Sequence, residues 1–238
     1  MKAIILAGGF GTRLKSVIQD IPKPMVDISG RPFLEYLLLQ LKKAGICDIV
    51  LAVGYRSEKI EDRFRDGKAM GLNLTYSHED SPLGTGGALK RALIMVDEKS
   101  AIVMNGDSFF DIDLNSLIDD HSNSGAKITI AVSRQADLSR FGSIVVDNNN
   151  NILRFMEKSS AEPGGLINAG IYCINKEIAP SIPEGKISLE YDIFPSWIGK
   201  GMKALKCDGF FVDIGLPESL SGIKNQPQQL FSAVGIQL

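Results

Sequence analysis

The opening stretch, MKAIILAGGFGTRLKSVIQDIPKP, restricts this chain more than any other. Ala3-Ile4-Ile5-Leu6-Ala7 is an apolar, β-branched run stopped by glycine, which reads as a strand buried on both faces. Gly8-Gly9-Phe10-Gly11-Thr12-Arg13 follows without a break. Three glycines in four positions remove the Cβ atoms that would hold a ligand off the backbone. Successive N–H groups in such a loop can point at one anion. The Arg13 guanidinium adds a fork of donors suited to phosphate. Lys23 stands between Pro22 and Pro24, so it is carried on a stiff segment. Together these features describe a grip for a polyphosphate at the end of a buried strand.

Two well-known phosphate loops do not fit. A dinucleotide loop would read G-x-G-x-x-G, and Gly9-Phe10-Gly11-Thr12-Arg13-Leu14 lacks the third glycine. A P-loop would end in Gly-Lys-Ser/Thr, which is absent here. A glycine-rich turn between strand and helix, with no ligand, is the plain alternative.

Periodicity along the chain supports an α/β fold. Arg31–Ala44 has helical spacing, with Phe33, Tyr36, Leu37, Leu41 and Ala44 on one face and Gly45 as its stop. Asp48–Val53 reads as a strand, Ser57–Phe64 as a helix with Ser57 as N-cap, and Asn73–Ser77 as a strand. Pro82–Leu89 is a second glycine-rich loop leading into a helix through Val96, and Ala101–Met104 is a strand ended by Asn105-Gly106-Asp107. A helix over Asn115–Ser122 and a strand over Lys127–Ser133 continue the alternation. The expected fold is a doubly wound, mostly parallel, Rossmann-like sheet with helices on both faces. Ligands in such sheets bind outside the carboxyl ends of the strands, where both glycine-rich loops and Asp107 fall.

The second half changes style. Ser143–Val146 and Ile152–Met156 flank a polar turn and predict a hairpin, and Leu166–Ile174 a further strand. Helices are expected at Leu189–Gly199 and Pro217–Lys224, with short strands at Met202–Lys206 and Gly209–Asp213. We read one domain over 1–238, with a mostly parallel half at 1–135 and a smaller antiparallel half at 136–238. Gln226–Leu238 is expected to dock on the domain or to form a contact in a homo-oligomer.

Net charge −2 and a pI near 5.8 argue against nucleic acid or an anionic membrane as partner. Cys47, Cys173 and Cys207 are odd in number and have no zinc spacing, which suits reduced thiols and a cytoplasmic protein. The first apolar run is too short for a signal peptide, and no run approaches a membrane span. His78 and His121 are isolated and receive no function.

Asp107 and Asp213 each end a predicted strand. A carboxylate facing a polyphosphate suits Mg²⁺, which bridges phosphate oxygens. The plain alternative is that both are helix N-caps. Glu157-Lys158 lies at the end of a predicted strand, where neighbours point to opposite faces unless the strand ends or bulges.

Taken in order, G-G-x-G-T-R-L, P-K-P, P-L-G-T-G-G-A, N-G-D, the E-K pair, N-A-G-I-Y and D-I-G-x-P-E cover almost the whole chain. This set resembles the sugar-1-phosphate nucleotidylyltransferases. The resemblance implies Mg²⁺-dependent attack of a sugar 1-phosphate on the α-phosphorus of a nucleoside triphosphate. It implies that Leu6, Ala7, Gly8, Gly9, Gly11, Thr12, Gly84 and Thr85 line the nucleotide. Arg13 would neutralise the leaving pyrophosphate, Lys23 would hold phosphates near the reacting centre, and Lys158 would hold the sugar phosphate. Asp107 and Asp213 would hold Mg²⁺, and Gly142, Glu157 and Asn168 would meet the sugar. The branch most resembled uses GTP and a heptose 1-phosphate. The resemblance also puts a base-reading residue at Glu79. A carboxylate only accepts hydrogen bonds, and guanine offers two adjacent donors where uracil and thymine offer one. Thymidylyltransferases carry an arginine near Ile187–Glu190; here Lys186 is the only nearby cation. The alternatives are a uridylyl- or cytidylyltransferase for another sugar 1-phosphate, and a non-catalytic regulatory subunit that binds nucleotide sugars.

Overall fold

The computed structural model describes residues 1–9, 20–138, 141–156 and 164–236. Strand β1 (Lys2–Leu6) lies inside a nine-stranded sheet. A small hairpin, β2 (Asp27–Ile28) and β3 (Arg31–Pro32), leads into α1 (Phe33–Lys43). Then β4 (Asp48–Val53), α2 (Ser57–Phe64), β5 (Asn73–His78), α3 (Gly84–Leu93) and β6 (Ser100–Asn105) alternate. Strands β4 and β6 flank β1, and β5 lies outside β4, all parallel. The chain reverses its winding direction between β5 and β6. The gap between β1 and β6 is therefore the switch point at which such sheets bind ligands.

Side chains of these strands divide by period two between two cores. Ala3, Ile5, Ile49, Leu51, Ile102 and Met104 pack with α1 on one face. Ile4, Val50, Ala52, Ala101 and Val103 pack with α3 on the other. Burial on both faces explains why the strands read as continuous apolar runs.

The remaining elements are β7 (Ser108–Phe110), α4 (Leu114–Ser124), β8 (Ile128–Gln135), β9 (Ser143–Val146), β10 (Ile152–Met156) and β11 (Gly165–Asn175). After them come β12 (Met202–Cys207), β13 (Phe211–Asp213), α5 (Pro217–Asn225) and α6 (Gln228–Val234). Strand β8 does not extend the parallel order, contrary to expectation. Strand β11 takes the free edge of β6 antiparallel, and β8 pairs antiparallel with β11. Strand β11 is long enough to serve two neighbours on one edge, β9 at Leu166–Ile167 and β6 at Ile171–Asn175. Its register with β8 shifts between Asn168 and Tyr172, around Gly170 at φ +77°. This irregularity lies beside the end of β6.

Two further expectations are corrected. Ser57 is the first helical residue rather than the N-cap; Arg56 precedes it at φ 55° without a side-chain cap. The single helix expected over Leu189–Gly199 is a π-helical turn (Leu189–Ile193) followed by a 3-10 turn (Phe194–Trp197). Pro195 lacks the N–H that an α-helix interior needs. Helix α1 is apolar on more than one face because α6 covers it: Tyr36 stacks on Phe231 with ring centroids 6.1 Å apart. Of the C-terminal segment, α6 thus docks on the domain, with Leu230, Phe231 and Ala233 in the core. His121 is a buried core residue bonded to Thr129 and Asn175, and burial pushes its pKa down. Among the described residues no helix is long and apolar enough to cross a membrane.

Candidate active site

The strand ends and the bulge in β11 enclose a cleft of about 880 Å³. At its floor Ala7 N–H donates to Ala52 O at 2.8 Å, which carries the chain past β4 and aims Gly8 and Gly9 into the cleft. The two glycines serve different ends. A Cβ on Gly8 would collide with Glu79 Oε1, whereas one on Gly9 would meet nothing within 4 Å. Gly9 leaves room for a ligand, and Gly8 leaves room for Glu79.

Glu79 follows β5, and its Oε2 accepts from Leu83 N at 2.9 Å. Burial raises its pKa; the Leu83 hydrogen bond and the Arg91 charge oppose that rise. The carboxylate is therefore held in one orientation facing the first glycine loop, and both oxygens keep lone pairs for a ligand.

Asp107 and Asp213 are not helix N-caps. Gly106 N–H donates to Leu6 O at 2.9 Å, and a Cβ on Gly106 would approach that oxygen to 2.7 Å. The tight crossing places Asp107 directly over the end of β1. Strand β13 then pairs antiparallel with β7, setting Asp213 opposite Ser108, while Ile214 N donates to Asp107 O at 3.0 Å. A three-residue ribbon thus joins two carboxylates 106 positions apart in sequence (213 minus 107). Lys23 completes the group. Its Nζ donates to Asp107 Oδ2 at 2.7 Å and lies 3.8 Å from Asp213 Oδ1. Gly215 N donates to Asp213 Oδ1 at 2.5 Å, and a Cβ on Gly215 would come within 2.8 Å of Lys23 Nζ. The lysine side chain is 12% exposed, and the buried ring of Pro24 supports its turn.

No group of three or more metal-ligating side chains occurs among the described residues. The pair Asp107 and Asp213 still fits Mg²⁺, which takes one or two carboxylates and completes its shell with water and phosphate oxygens. That the two acids already face a single cationic nitrogen supports the fit.

The opposite wall comes from β9, β10 and β11. Asn168 Oδ1 accepts from Gly170 N and its Nδ2 donates to Tyr172 Oη, both at 2.9 Å. Asn105 Nδ2 reaches the same hydroxyl at 3.4 Å. Gly142 lines the cleft, but a Cβ there would meet Met156 O at 2.8 Å, so its small size also serves the β9–β10 pairing.

Gly84 and Thr85 line the cleft too, yet much of the second glycine loop's design is internal. Gly86 N donates to Ile187 O at 2.8 Å, and a Cβ on Gly84 would strike that same carbonyl. The Thr85 hydroxyl accepts from Leu189 N at 2.8 Å and donates to Glu190 at 2.9 Å. The loop is shaped to seat the segment 185–190, bringing Lys186, Glu190 and Tyr191 to the cleft. Sequence reading draws attention to that segment only through the arginine it lacks, and Asn105 and Tyr172 enter it only as members of the N-G-D and N-A-G-I-Y motifs, with no role assigned to either.

The structure brings together Leu6, Ala7, Gly8, Gly9, Lys23, Glu79, Gly84, Thr85, Asp107, Gly142, Asn168 and Asp213 on one cleft. Gly11, Thr12, Arg13, Glu157 and Lys158 lie outside the described residues.

The fold and this cleft define a class, and comparison with known proteins agrees. The model of the nucleotidyl transferase family matches residues 2–229, and the chain belongs to that family. It is 45% identical to the D-glycero-α-D-manno-heptose 1-phosphate guanylyltransferase of Campylobacter jejuni, over 92% of this chain and 96% of that protein. The protein of the same name from Aneurinibacillus thermoaerophilus is 37% identical, over 92% and 94%. Among solved structures, HddC from Yersinia pseudotuberculosis superposes with a TM-score of 0.85 at 36% identity, covering 94% of this chain and 98% of that one. A second structure of HddC is a complex with GMP-PN.

Proposed function

We propose that this chain transfers a guanylyl group from GTP to D-glycero-α-D-manno-heptose 1-phosphate. A phosphate oxygen of the sugar phosphate attacks the α-phosphorus of GTP. The bond from that phosphorus to the bridging oxygen of the β-phosphate breaks, pyrophosphate leaves, and GDP-heptose forms. The nucleophile is already an anion, so no general base is needed. Such transfer asks a protein mainly for alignment and charge stabilisation.

The observation that carries the reading is the convergence of Lys23, Asp107 and Asp213 at the switch point, in a chain so similar to the two guanylyltransferases. Gly8 and Gly9 present backbone to the phosphates. Lys23 exchanges its carboxylate contact for phosphate oxygens as substrates enter. Asp107 and Asp213 would hold Mg²⁺, which neutralises charge on the phosphates. Arg13 and Lys158 keep the phosphate-binding roles that the family resemblance implies, as do Gly11 and Thr12 along the nucleotide and Glu157 at the sugar. Glu79 reads the N1–H and N2 amino group of guanine, while Asn168 meets the sugar. We place the reaction in the cytoplasm.

Pyrophosphate release with Mg²⁺ tests the reading, over a grid of nucleoside triphosphates against heptose, mannose and glucose 1-phosphates. Release chiefly with GTP and the heptose phosphate is expected. A different preferred pair would discard the substrate assignment, and silence across the grid would favour a regulatory, non-catalytic protein.

A further inference from the structure

Among the described residues, four carboxylates and two ammonium groups line the cleft: Glu79, Asp107, Glu190 and Asp213 with Lys23 and Lys186. In the proposed reaction three of the carboxylates have work. Glu190 has none. Both substrates are phosphate anions, and a carboxylate facing them repels them unless it accepts hydrogen bonds from an uncharged part of a ligand.

The structure holds this carboxylate with care. Two relays converge on its Oε2. In one, Leu189 N donates to Thr85 Oγ1 at 2.8 Å, and that hydroxyl donates to Glu190 at 2.9 Å. In the other, Tyr191 N donates to Ser188 Oγ at 3.2 Å, and that hydroxyl donates to Glu190 at 2.9 Å. Each hydroxyl accepts from backbone and so turns its proton toward the carboxylate, an arrangement in which successive bonds strengthen one another. The ion pairs among the described residues do not include Glu190. The three glycines of α3's first turn, Gly84, Gly86 and Gly87, each pack against residues 185–187, so this segment has a built seat.

Its place is in the lining of the cleft, beside groups that also bear on Tyr172. Burial raises that phenol's pKa well above its ordinary value, and the Glu190 charge adds to the rise, with Asp107 a lesser contributor. Tyr172 Oη is bonded by Asn168 and Asn105. Glu190 thus lines the same cleft as Asn105 and Asn168, held by Thr85 of the second glycine loop. The donors available there are sugar hydroxyls.

We infer that Glu190 is a specificity-determining residue that accepts hydrogen bonds from hydroxyls of the acceptor sugar. It selects a polyhydroxylated sugar phosphate over a bare or deoxygenated one. This rests on the proposed reading only in that the cleft takes a sugar 1-phosphate beside the nucleotide.

The test compares the wild-type chain with E190Q and E190A, using whichever nucleotide and sugar phosphate pair the wild type turns over. Mannose 1-phosphate and its monodeoxy analogues serve as acceptors beside the heptose phosphate. In the wild type, at least one deoxygenation should cost about tenfold in kcat/KM, as for a lost hydrogen bond to a charged group. E190Q should raise KM for the sugar phosphate about tenfold, with KM for the triphosphate and kcat changed less than about threefold. E190A should abolish discrimination against that one analogue, leaving the others as they were. A rise in KM for the triphosphate instead, or wild-type discrimination retained by both variants, overturns the inference. E190Q keeps an oxygen for Thr85 and Ser188, so it answers the question if E190A does not fold. Calorimetric binding of the sugar phosphate to wild type and E190Q reads the same difference without turnover, and absence of any such binding to the wild type overturns it. Turnover with a base other than guanine would overturn only the functional reading.

Discussion

On one side of the cleft Lys23, Asp107 and Asp213 are placed by backbone. A crossing that only glycine permits, a three-residue ribbon and a proline-flanked turn set their positions. On the other side Asn168, Tyr172 and Glu190 are placed by side chains that hold one another, through Asn168–Tyr172–Asn105 and Thr85–Glu190–Ser188. On the proposed reading the first side handles phosphates and charge, which every nucleotidyl transfer requires, and the second faces the variable part of the substrate. A site anchored in backbone should fail abruptly when a functional group is lost, while one built from side-chain hydrogen bonds should fail by degrees.

Mutations can break or sharpen this contrast. The largest effect is expected for Asp107→Ala. Losing a carboxylate proposed to hold Mg²⁺ should lower kcat roughly a thousandfold, about 4 kcal/mol of transition-state stabilisation. Melting should move little, because Asp107 is 45% exposed and its pair with Lys23 contributes about 1 kcal/mol or less. Retained Mg²⁺-dependent turnover would remove Asp107 from the metal site.

Lys23→Ala comes next. We expect about a hundredfold loss in kcat, in the range found for removing one preorganised charge-stabilising donor, with a stability loss of about 1 kcal/mol. If denaturant unfolding showed a stability loss as large as the loss in activation free energy, Lys23 would be a structural residue.

Tyr172→Phe probes the second side and should act least on rate. It strips the hydroxyl bonded by Asn168 and Asn105 and leaves the ring packed on Phe194, with centroids 5.1 Å apart. We expect about 1–2 kcal/mol of stability lost to the unpaired amides. KM for the sugar phosphate should rise a few-fold, with kcat within about twofold. A collapse in kcat as deep as that of Asp107→Ala would mean the two sides do not differ as described.

The fold was legible where one physical requirement dominates. Strands buried on both faces must be continuously apolar, so β1, β4 and β6 were evident. The hairpin β9–β10 was legible from its polar turn. Strand β7 was not, because Ser108–Phe110 is too short for any periodicity and exists by pairing with β13. Nor was the insertion of β11 beside β6, since alternating strands and helices do not say which strand takes a free sheet edge.

The same division runs through the site. Glycines, a proline-flanked lysine and strand-terminal aspartates announce themselves, because phosphate chemistry restricts residue type and spacing. The sequence by itself thus determined the parallel core, the phosphate-facing rim and the membership of a class. Tertiary structure alone decided that Asp107 and Asp213 share one cation, that Gly8 gives way to Glu79, and that Thr85 orients Glu190 from 105 residues away. These facts depend on distances between segments remote in sequence. Any acid or hydroxyl satisfies local propensity at such positions, and only the packed chain gives it a partner.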